Sequence, residues 1–472
     1  MTVLPRTFRH GIHPEEHKEA TEHLPLERMP FVDRYVLPLS QHTGAPCKPV
    51  VRPGERVLRG QVIAAPGSFV STTLHSPVTG RVAAIAPRHH PNGRLVEAIE
   101  IESDPFVTQR VAERPPLDWR ALSVDDFVGE VLKAGLVGMG GAAFPTHVKY
   151  KLPAGKRVRR LVANGCECEP FLTADHRVMV ERPAAILRGI EILATRLAVE
   201  ETVIGVELNK PDAIAALEEA LLAGPPPAIP VRVVPVAVKY PQGAEKMLIK
   251  AVYGLEVPAG GLFIDVETLV NNVGTMAALA DWFDRGLPLI ERIVTVAGPG
   301  VRRPANLLVP VGTPVRAVLE HCGGLREETR EVVMGGPMMG APLASLDVPV
   351  LKGTSGLLAF TAVEARLPVE YTCIKCGRCV EACLQFLNPS WLGRLARAGR
   401  WDLLEQSYAL DCVECGSCSF ACPSGIPIVQ LIRVAKAEIR AGRGSPPHSP
   451  DPSPTLTGGE GRHRPPMGES FR

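Results

Sequence analysis

The sequence predicts a multidomain α/β protein. Three observations predict it: closely spaced turn signals over residues 36–102, alternating helical and strand patterns from Ser123 onward, and two matching cysteine ladders towards the C-terminal end. A chain of 472 residues has room for roughly three or four domains, each with its own core. Pattern and composition divide it into an all-β module (8–115), an α/β domain (120–288), a small mixed unit (289–345) and a helical cysteine-rich domain (346–440). Residues 441–472 are rich in Pro, Gly and Ser without apolar periodicity, which predicts a disordered tail.

Charge narrows the partners. Lys and Arg number 52 against 50 Asp and Glu, a net +2, so no nucleic-acid footprint is indicated. The N-terminal residues lack the apolar core of a signal peptide, and no run approaches the ~20 apolar residues that span a bilayer. Any membrane association is therefore expected to be peripheral. Eight of the 12 cysteines sit in the ladders, and Cys47, Cys166, Cys168 and Cys322 show no disulfide framework, which points to a reducing, cytoplasmic setting.

In the all-β module, short apolar runs are broken by Pro53-Gly54, Arg59-Gly60, Pro66-Gly67, Ser76-Pro77, Thr79-Gly80 and Asn92-Gly93. The stretches VRPGERVLRGQVIAAP and HSPVTGRVAAI resemble a lipoyl or biotinyl barrel-sandwich hybrid. Carrier versions hold their prosthetic group on a hairpin lysine. No lysine occurs between Pro49 and Leu132, so a swinging arm is excluded and a docking or structural role is expected.

The α/β domain opens with a helical pattern that runs into a glycine-rich loop: Gly138, Gly140 and Gly141, then Phe144, Pro145, Thr146 and Lys149. Glycines let backbone N–H groups approach a phosphate without Cβ interference, and Lys149 adds a point charge. The spacing matches neither G-x-G-x-x-G nor the P-loop, so the loop alone is also compatible with a simple turn. A strand at 161–163 ends in a polar turn, where open α/β sheets hold ligands. Helix (184–197), strand (202–206), helix (211–222) and strand (231–238) follow, and a further helix begins at Asn271 and Asn272. Residues 293–342 predict two strands and a short helix after Thr313-Pro314. An extended linker is expected to lead from there into the ladders.

The ladders are Cys373, Cys376, Cys379, Cys383 and Cys412, Cys415, Cys418, Cys422, each spelling C-x2-C-x2-C-x3-C. This spacing suits a pair of [4Fe-4S] clusters, with the fourth cysteine of each run crossing to the other cluster. One set is then Cys373, Cys376, Cys379 and Cys422; the other is Cys412, Cys415, Cys418 and Cys383. Zinc usually takes two separated C-x2-4-C pairs and fits this ladder less well. Pro423 follows the second run, but Leu384 stands at the matching position of the first, a departure that touches helix entry and not ligation.

Four strings in the middle of the chain, GMGGAAFPTHVKY, NGCECEP, KYPQGAEK and VNNVGT, resemble in order and spacing the NADH-oxidising flavoprotein subunit of respiratory complex I. The segment 293–324 resembles the soluble-ligand-binding β-grasp domain that follows it there. With a barrel-sandwich module in front and two ferredoxin-type motifs behind, residues 8–440 resemble the RnfC (RsxC) family of Rnf-type electron transport complexes. The resemblance implies a flavin mononucleotide (FMN) site with Gly138, Gly140, Gly141 and Lys149 around the phosphate and ribityl chain. Asn164, Tyr240, Gly243, Glu245, Asn271, Asn272 and Thr275 would surround the rest. It further implies NADH contacts at Phe144 and Glu169. Cys166 and Cys168 depart from the pattern, replacing an Asp and a Ser, and Leu152 stands where a second aromatic would stack.

The family reading implies a peripheral electron-input subunit on the cytoplasmic face of the plasma membrane, passing electrons between NADH, FMN, two [4Fe-4S] clusters and, indirectly, ferredoxin. Its partners would be integral membrane subunits that couple ion movement and an iron-sulfur subunit, and no catalytic acid or base is nominated. A soluble cobalamin reductase and a cluster-only relay with a decayed flavin site are the competing readings. Cys166 and Cys168 are expected to be small buried thiols, and Cys47 and Cys322 inert ones. Met338 and Met339 are expected to pack, and His10, His13 and His17 to be solvated.

Overall fold

The computed structural model describes residues 6–112 and 114–444. The tail expected over 441–472 lies beyond them except at its start, where the last helix, Ile428–Gly444, continues four residues past the expected boundary.

The strands of the barrel-sandwich sheets run from Arg34 to Ser103. Strands Arg34–Pro38, Leu95–Ser103, Gly80–His89 and Arg56–Val57 form one antiparallel sheet, and Lys48–Pro49, Val62–Ala65 and Leu74–His75 form a second. Their inner faces bury Tyr35, Leu37, Val57, Ile63, Leu74 and Ile99, each such side chain adding roughly 1.5–3 kcal/mol. Residues ahead of Arg34 form an arm that leaves the module. It bridges Arg6 to Val236 and Ile12 to Tyr240, and its strand Leu26–Arg28 pairs in parallel with Ala305–Pro310.

The α/β domain carries a four-stranded parallel sheet in the order Val231–Val236, Glu201–Glu207, Arg160–Gly165, Thr268–Asn272. Its inner strands read as apolar runs because helices cover them. Helices Pro183–Arg196 and Val273–Arg285 pack together so closely that a Cβ at Gly189 would lie 1.9 Å from the Met276 carbonyl oxygen. All four strands point their carboxyl ends the same way, which gathers Asn164, Glu207 and Asn271 at one edge.

The β-grasp sheet is larger than expected. Its order is Leu26–Arg28, Ala305–Pro310, Glu291–Ala297, Gly356–Thr361, Thr329–Met334, Ala341–Pro342. The segment expected as a linker from residue 346 therefore contains an interior strand, Gly356–Thr361, with Leu357, Leu358 and Ala359 fully buried. A short uninterrupted apolar run is what a strand covered on both faces requires.

The last domain packs Pro389–Arg397 and Trp401–Gln406 against Ile428–Gly444 through Leu392, Leu395, Leu404, Ile432 and Ala435. Asn388 caps Pro389–Arg397 by accepting from the Trp391 amide at 3.2 Å.

Candidate functional site

The glycine loop lies between helix Val124–Lys133 and the short helix Thr146–Tyr150. Its shape is fixed from outside the α/β domain. Thr43 of the barrel-sandwich module donates its hydroxyl to the Ala142 carbonyl (2.9 Å) and its amide to the Ala143 carbonyl (3.3 Å). Because the peptide is planar and trans, carbonyls drawn towards Thr43 turn the following N–H groups of Ala143 and Phe144 the opposite way. Those two amides, and those of Gly140 and Gly141, donate to no group among the described residues. A Cβ at Gly141, whose φ is +119°, would meet nothing within 4 Å, so the concave side of the loop is open.

Across from the loop stand the strand ends. Asn272 caps helix Val273–Arg285 through the amides of Gly274 and Thr275, and its Nδ2 donates to Asp175 (2.6 Å). Thr275 accepts from the Met139 amide at 3.1 Å, which ties the cap to the glycine loop. Asn271 accepts from the Tyr150 hydroxyl at 3.3 Å, while its buried Nδ2 has no partner. Lys149 sits 2.7 Å from Glu245 Oε1 and 3.3 Å from the Val270 carbonyl. Asn164 donates to the Gly243 carbonyl (2.9 Å) and accepts from the Cys166 amide (3.0 Å), holding the 240–244 turn to the end of Arg160–Gly165. Free amides, an orphaned carboxamide N–H and an ammonium are the donor set an anionic phosphate and a hydrogen-bonding ring system need. The chemistry of this donor set fits FMN.

The structure brings together Gly138, Gly140, Gly141, Lys149, Asn164, Gly243, Glu245, Asn271, Asn272 and Thr275 in this manner. It treats three others differently. Phe144 is half-buried at the end of the loop, with its carbonyl accepting from the Gly138 amide (2.8 Å). Glu169 turns onto the β-grasp domain, where its carboxylate accepts from the amides of Met338 and Met339, each at 2.9 Å. Burial raises its carboxyl to about 7 against the opposing pull of those amides and of Lys18. Tyr240 is 1% exposed and donates its hydroxyl to the Cys415 carbonyl at 2.7 Å.

Cys166 is buried and Cys168 is half-buried beside it, and desolvation pushes both thiols up. Cys47 donates to the Thr72 carbonyl at 3.0 Å, and Cys322 lies in the β-grasp core. His10 rests against Phe386 with ring centroids 4.6 Å apart, and His17 stacks on Phe171 at 4.8 Å.

The ladder cysteines interleave. Burial and then the charges of Cys422 and Cys376 raise the Cys379 thiol. Cys418 is raised by burial and then by Cys412, Cys415 and Cys383, the fourth cysteine of the other ladder; Cys383 itself feels both Cys415 and Cys379. Among the described residues no three such side chains close around a single metal ion. A cubane engages each thiolate through a different iron and so spaces them more widely than one ion does. Gly377 and Gly416, both left-handed (φ +81° and +80°), start the short helices Arg378–Glu381 and Ser417–Phe420 at matching places in the two ladders.

Four family models match the chain in order: an RnfC barrel sandwich hybrid domain over 6–105, a Nuo51 FMN-binding domain over 131–281, an SLBB domain over 293–342 and a 4Fe-4S dicluster domain over 372–426. The C subunit of the proton-translocating ferredoxin:NAD(+) oxidoreductase complex of Clostridium ljungdahlii is 43% identical over 92% of this chain and 94% of that protein. The chain belongs to the RnfC family. A second relative, the C subunit of the Na(+)-translocating ferredoxin:NAD(+) oxidoreductase complex of Acetobacterium woodii, is 42% identical over 94% of this chain and 99% of that protein. The corresponding subunit of the ion-translocating oxidoreductase complex of Rhodobacter capsulatus is 40% identical over 92% and 83%. In this RnfC family member no helix among the described residues is long and apolar enough to cross a membrane.

What sequence reasoning missed is the support around the RnfC pocket. Lys352, fully buried, donates to the carbonyls of Thr73 and Gly135, both at 2.7 Å, and joins three domains. Lys18 reaches from the arm to the carbonyls of Glu167 (3.0 Å), Glu169 (2.9 Å) and Leu172. For Lys352 the signal was a lysine in an otherwise apolar and glycine-rich stretch; Lys18, in the charged run HPEEHKEATEH, carried none.

Proposed function

We propose that this chain is the peripheral electron-input subunit of an ion-translocating ferredoxin:NAD(+) oxidoreductase complex, working at the cytoplasmic face of the membrane. Membrane-embedded partners would couple the electron flow to ion movement, and an iron-sulfur partner would link it to ferredoxin. The observation that carries this reading is a contact between the α/β domain and the cysteine ladders: Tyr240, in the turn that Asn164 holds, donates its hydroxyl to the backbone carbonyl of Cys415.

FMN supplies the exchange between a two-electron hydride donor and one-electron clusters. The chain's own residues bind and orient. The amides of Gly140, Gly141, Ala143 and Phe144 together with Lys149 hold the phosphate end, and Asn271 offers its free N–H to the remainder. Eight cysteines hold the two [4Fe-4S] clusters. No side chain is needed as acid or base, because the chemistry belongs to the bound groups and the protein sets position, hydrogen bonding and solvent exposure.

The test is an anaerobic titration of the reconstituted full chain with NADH, following flavin absorbance and cluster paramagnetic resonance together. Bleaching of the flavin with the appearance of reduced-cluster signals is expected. Unchanged spectra in protein shown to contain flavin and iron would defeat the reading.

A further inference from the structure

We propose that Cys383, Cys412, Cys415 and Cys418 form the inner cluster set, nearer the flavin cleft, that Cys373, Cys376, Cys379 and Cys422 form the outer set, and that Tyr240 is the positioning residue that fixes the inner set to the cleft. This order rests on the proposed flavin cleft and on the two ladders each holding a cluster.

The second ladder is gripped from two sides by elements that line or brace the cleft. Tyr240 follows strand Val231–Val236 at its carboxyl end and reaches Cys415 with its hydroxyl. Around that bond Ile12, Cys168, Met338, Ala382, Cys415 and Tyr240 form one small apolar cluster, drawn from the arm, the α/β domain, the β-grasp domain and both ladders. Ala382 directly precedes Cys383 and Ala421, of the same cluster, directly precedes Cys422, so the joint touches the crossing ligand of each ladder, and the inner assignment rests on Cys415 and Gly416. On the other side a Cβ at Gly416 would stand 3.0 Å from the Met338 carbonyl, and Met338 is itself held by Glu169. A route from cleft to Cys415 thus runs through packed groups on both flanks.

The first ladder faces away. Cys376 is exposed, and Ile374 beside it is 68% exposed. Its loop is tied to the Ser424 turn of its own domain: the Tyr371 amide donates to the Ser424 carbonyl at 2.8 Å, Ser424 returns its hydroxyl to the Thr372 carbonyl at 3.2 Å, and Gly425 abuts Val369. A cluster there presents an edge to solvent or to a docked partner. Loaded, the two cysteine sets would each hold a cluster that exchanges single electrons, the supply and removal of electrons falling to the flavin and to the partner.

Solvent exposure and hydrogen bonding near the sulfurs both tune a cluster, which makes the order measurable without turnover. In the full chain carrying both clusters, before flavin is added, Cys376→Ala and Cys412→Ala identify which paramagnetic resonance signal belongs to which set. Tyr240→Phe should then shift the midpoint potential of the signal lost in Cys412→Ala and leave the other in place. In the dithionite-reduced wild type, ferricyanide should oxidise the signal lost in Cys376→Ala several-fold faster than its companion. A Tyr240→Phe shift in the Cys376 signal, or equal or reversed oxidation rates, would overturn the order. The ferricyanide arm uses wild-type protein, so it decides even if Tyr240→Phe fails to fold. Absence of cluster signals in iron-loaded wild type would instead count against the cluster reading itself.

Discussion

Lys149 and Glu245 form an ion pair with 2.7 Å between Nζ and Oε1, joining the short helix after the glycine loop to the first residue of helix Glu245–Tyr253. The pair is only partly buried, 18% and 34% exposed, so it contributes little to folding and leaves the ammonium available to an incoming phosphate. Lys149→Met should fold normally and weaken FMN retention by about 10- to 100-fold, the worth of one charge-assisted hydrogen bond. Flavin absorbance after gel filtration, or fluorescence titration, would show it; retention equal to wild type would remove Lys149 from the site.

Two glycines of the site should respond in opposite ways. A methyl at Gly140 would meet Asn272 at 3.7 Å, an ordinary contact, while one at Gly243 would lie 2.5 Å from the Cys166 carbonyl oxygen. Gly140→Ala is therefore expected to keep wild-type stability and lose flavin, because it fills the cradle. Gly243→Ala is expected to lose about 1–3 kcal/mol of stability by pushing the 240–244 turn off the strand end. Urea midpoints and flavin content, measured on both, separate the two effects.

Glu169 gives the joint a pH dependence. Its carboxyl is raised from an ordinary value near 4.5 to about 7, burial being the main cause. Between those values the native state binds more protons than the unfolded chain, so this group's contribution to stability falls as pH rises through that window. Asp175, also raised to about 7, titrates in the same range, so the comparison must be with Glu169→Gln and not with wild type alone. Relative to the variant, wild type should gain stability from pH 8 down to pH 5; a parallel pair of pH profiles would show that Glu169 does not titrate there.

Lys352→Met should be among the most damaging single changes outside the ligands. It strands the buried carbonyls of Thr73 and Gly135, at about 1–3 kcal/mol for each unsatisfied group. A fall in the thermal midpoint, accompanied by loss of flavin because Gly135 leads into the glycine loop, is expected. Stability within experimental error of wild type would mean the three-domain junction is not held by this ammonium.

Cys383→Ala should abolish the same paramagnetic resonance signal as Cys412→Ala, and each should halve the iron content. Loss of the signal shared by Cys373 and Cys376 instead would show that the ladders do not interleave.

Much of the architecture was legible because it is local. The ladders advertise themselves by fixed spacing, and the parallel strands by apolar runs ending in Asn164 and Asn272. What stayed hidden is pairing over long separations. Strand Leu26–Arg28 has only three residues and no periodicity, and its partner Ala305–Pro310 lies far along the chain. Gly356–Thr361 was masked by the glycine-rich residues before it, although its apolar run was short and bounded in the way an interior strand is. The same limit applied to side chains: the family resemblance implied ligand contacts at Glu169 and Tyr240, and the fold shows Met338 and Cys415 bonded to their polar atoms.

The arm that runs from Arg6 to Arg28 also sets an order of assembly. It is made before its partners: Val236 and Tyr240 lie halfway along the chain and Asn306 later still. Until then the arm has nothing to pair with, and the neighbouring strand Ala305–Pro310 would be a bare sheet edge, the kind of surface that invites wrong pairing. Closing this long loop late should make the final docking slow relative to formation of the individual domains. A nascent chain stalled before residue 305 would lack both the partner of Leu26–Arg28 and Val311, which completes the barrel-sandwich core.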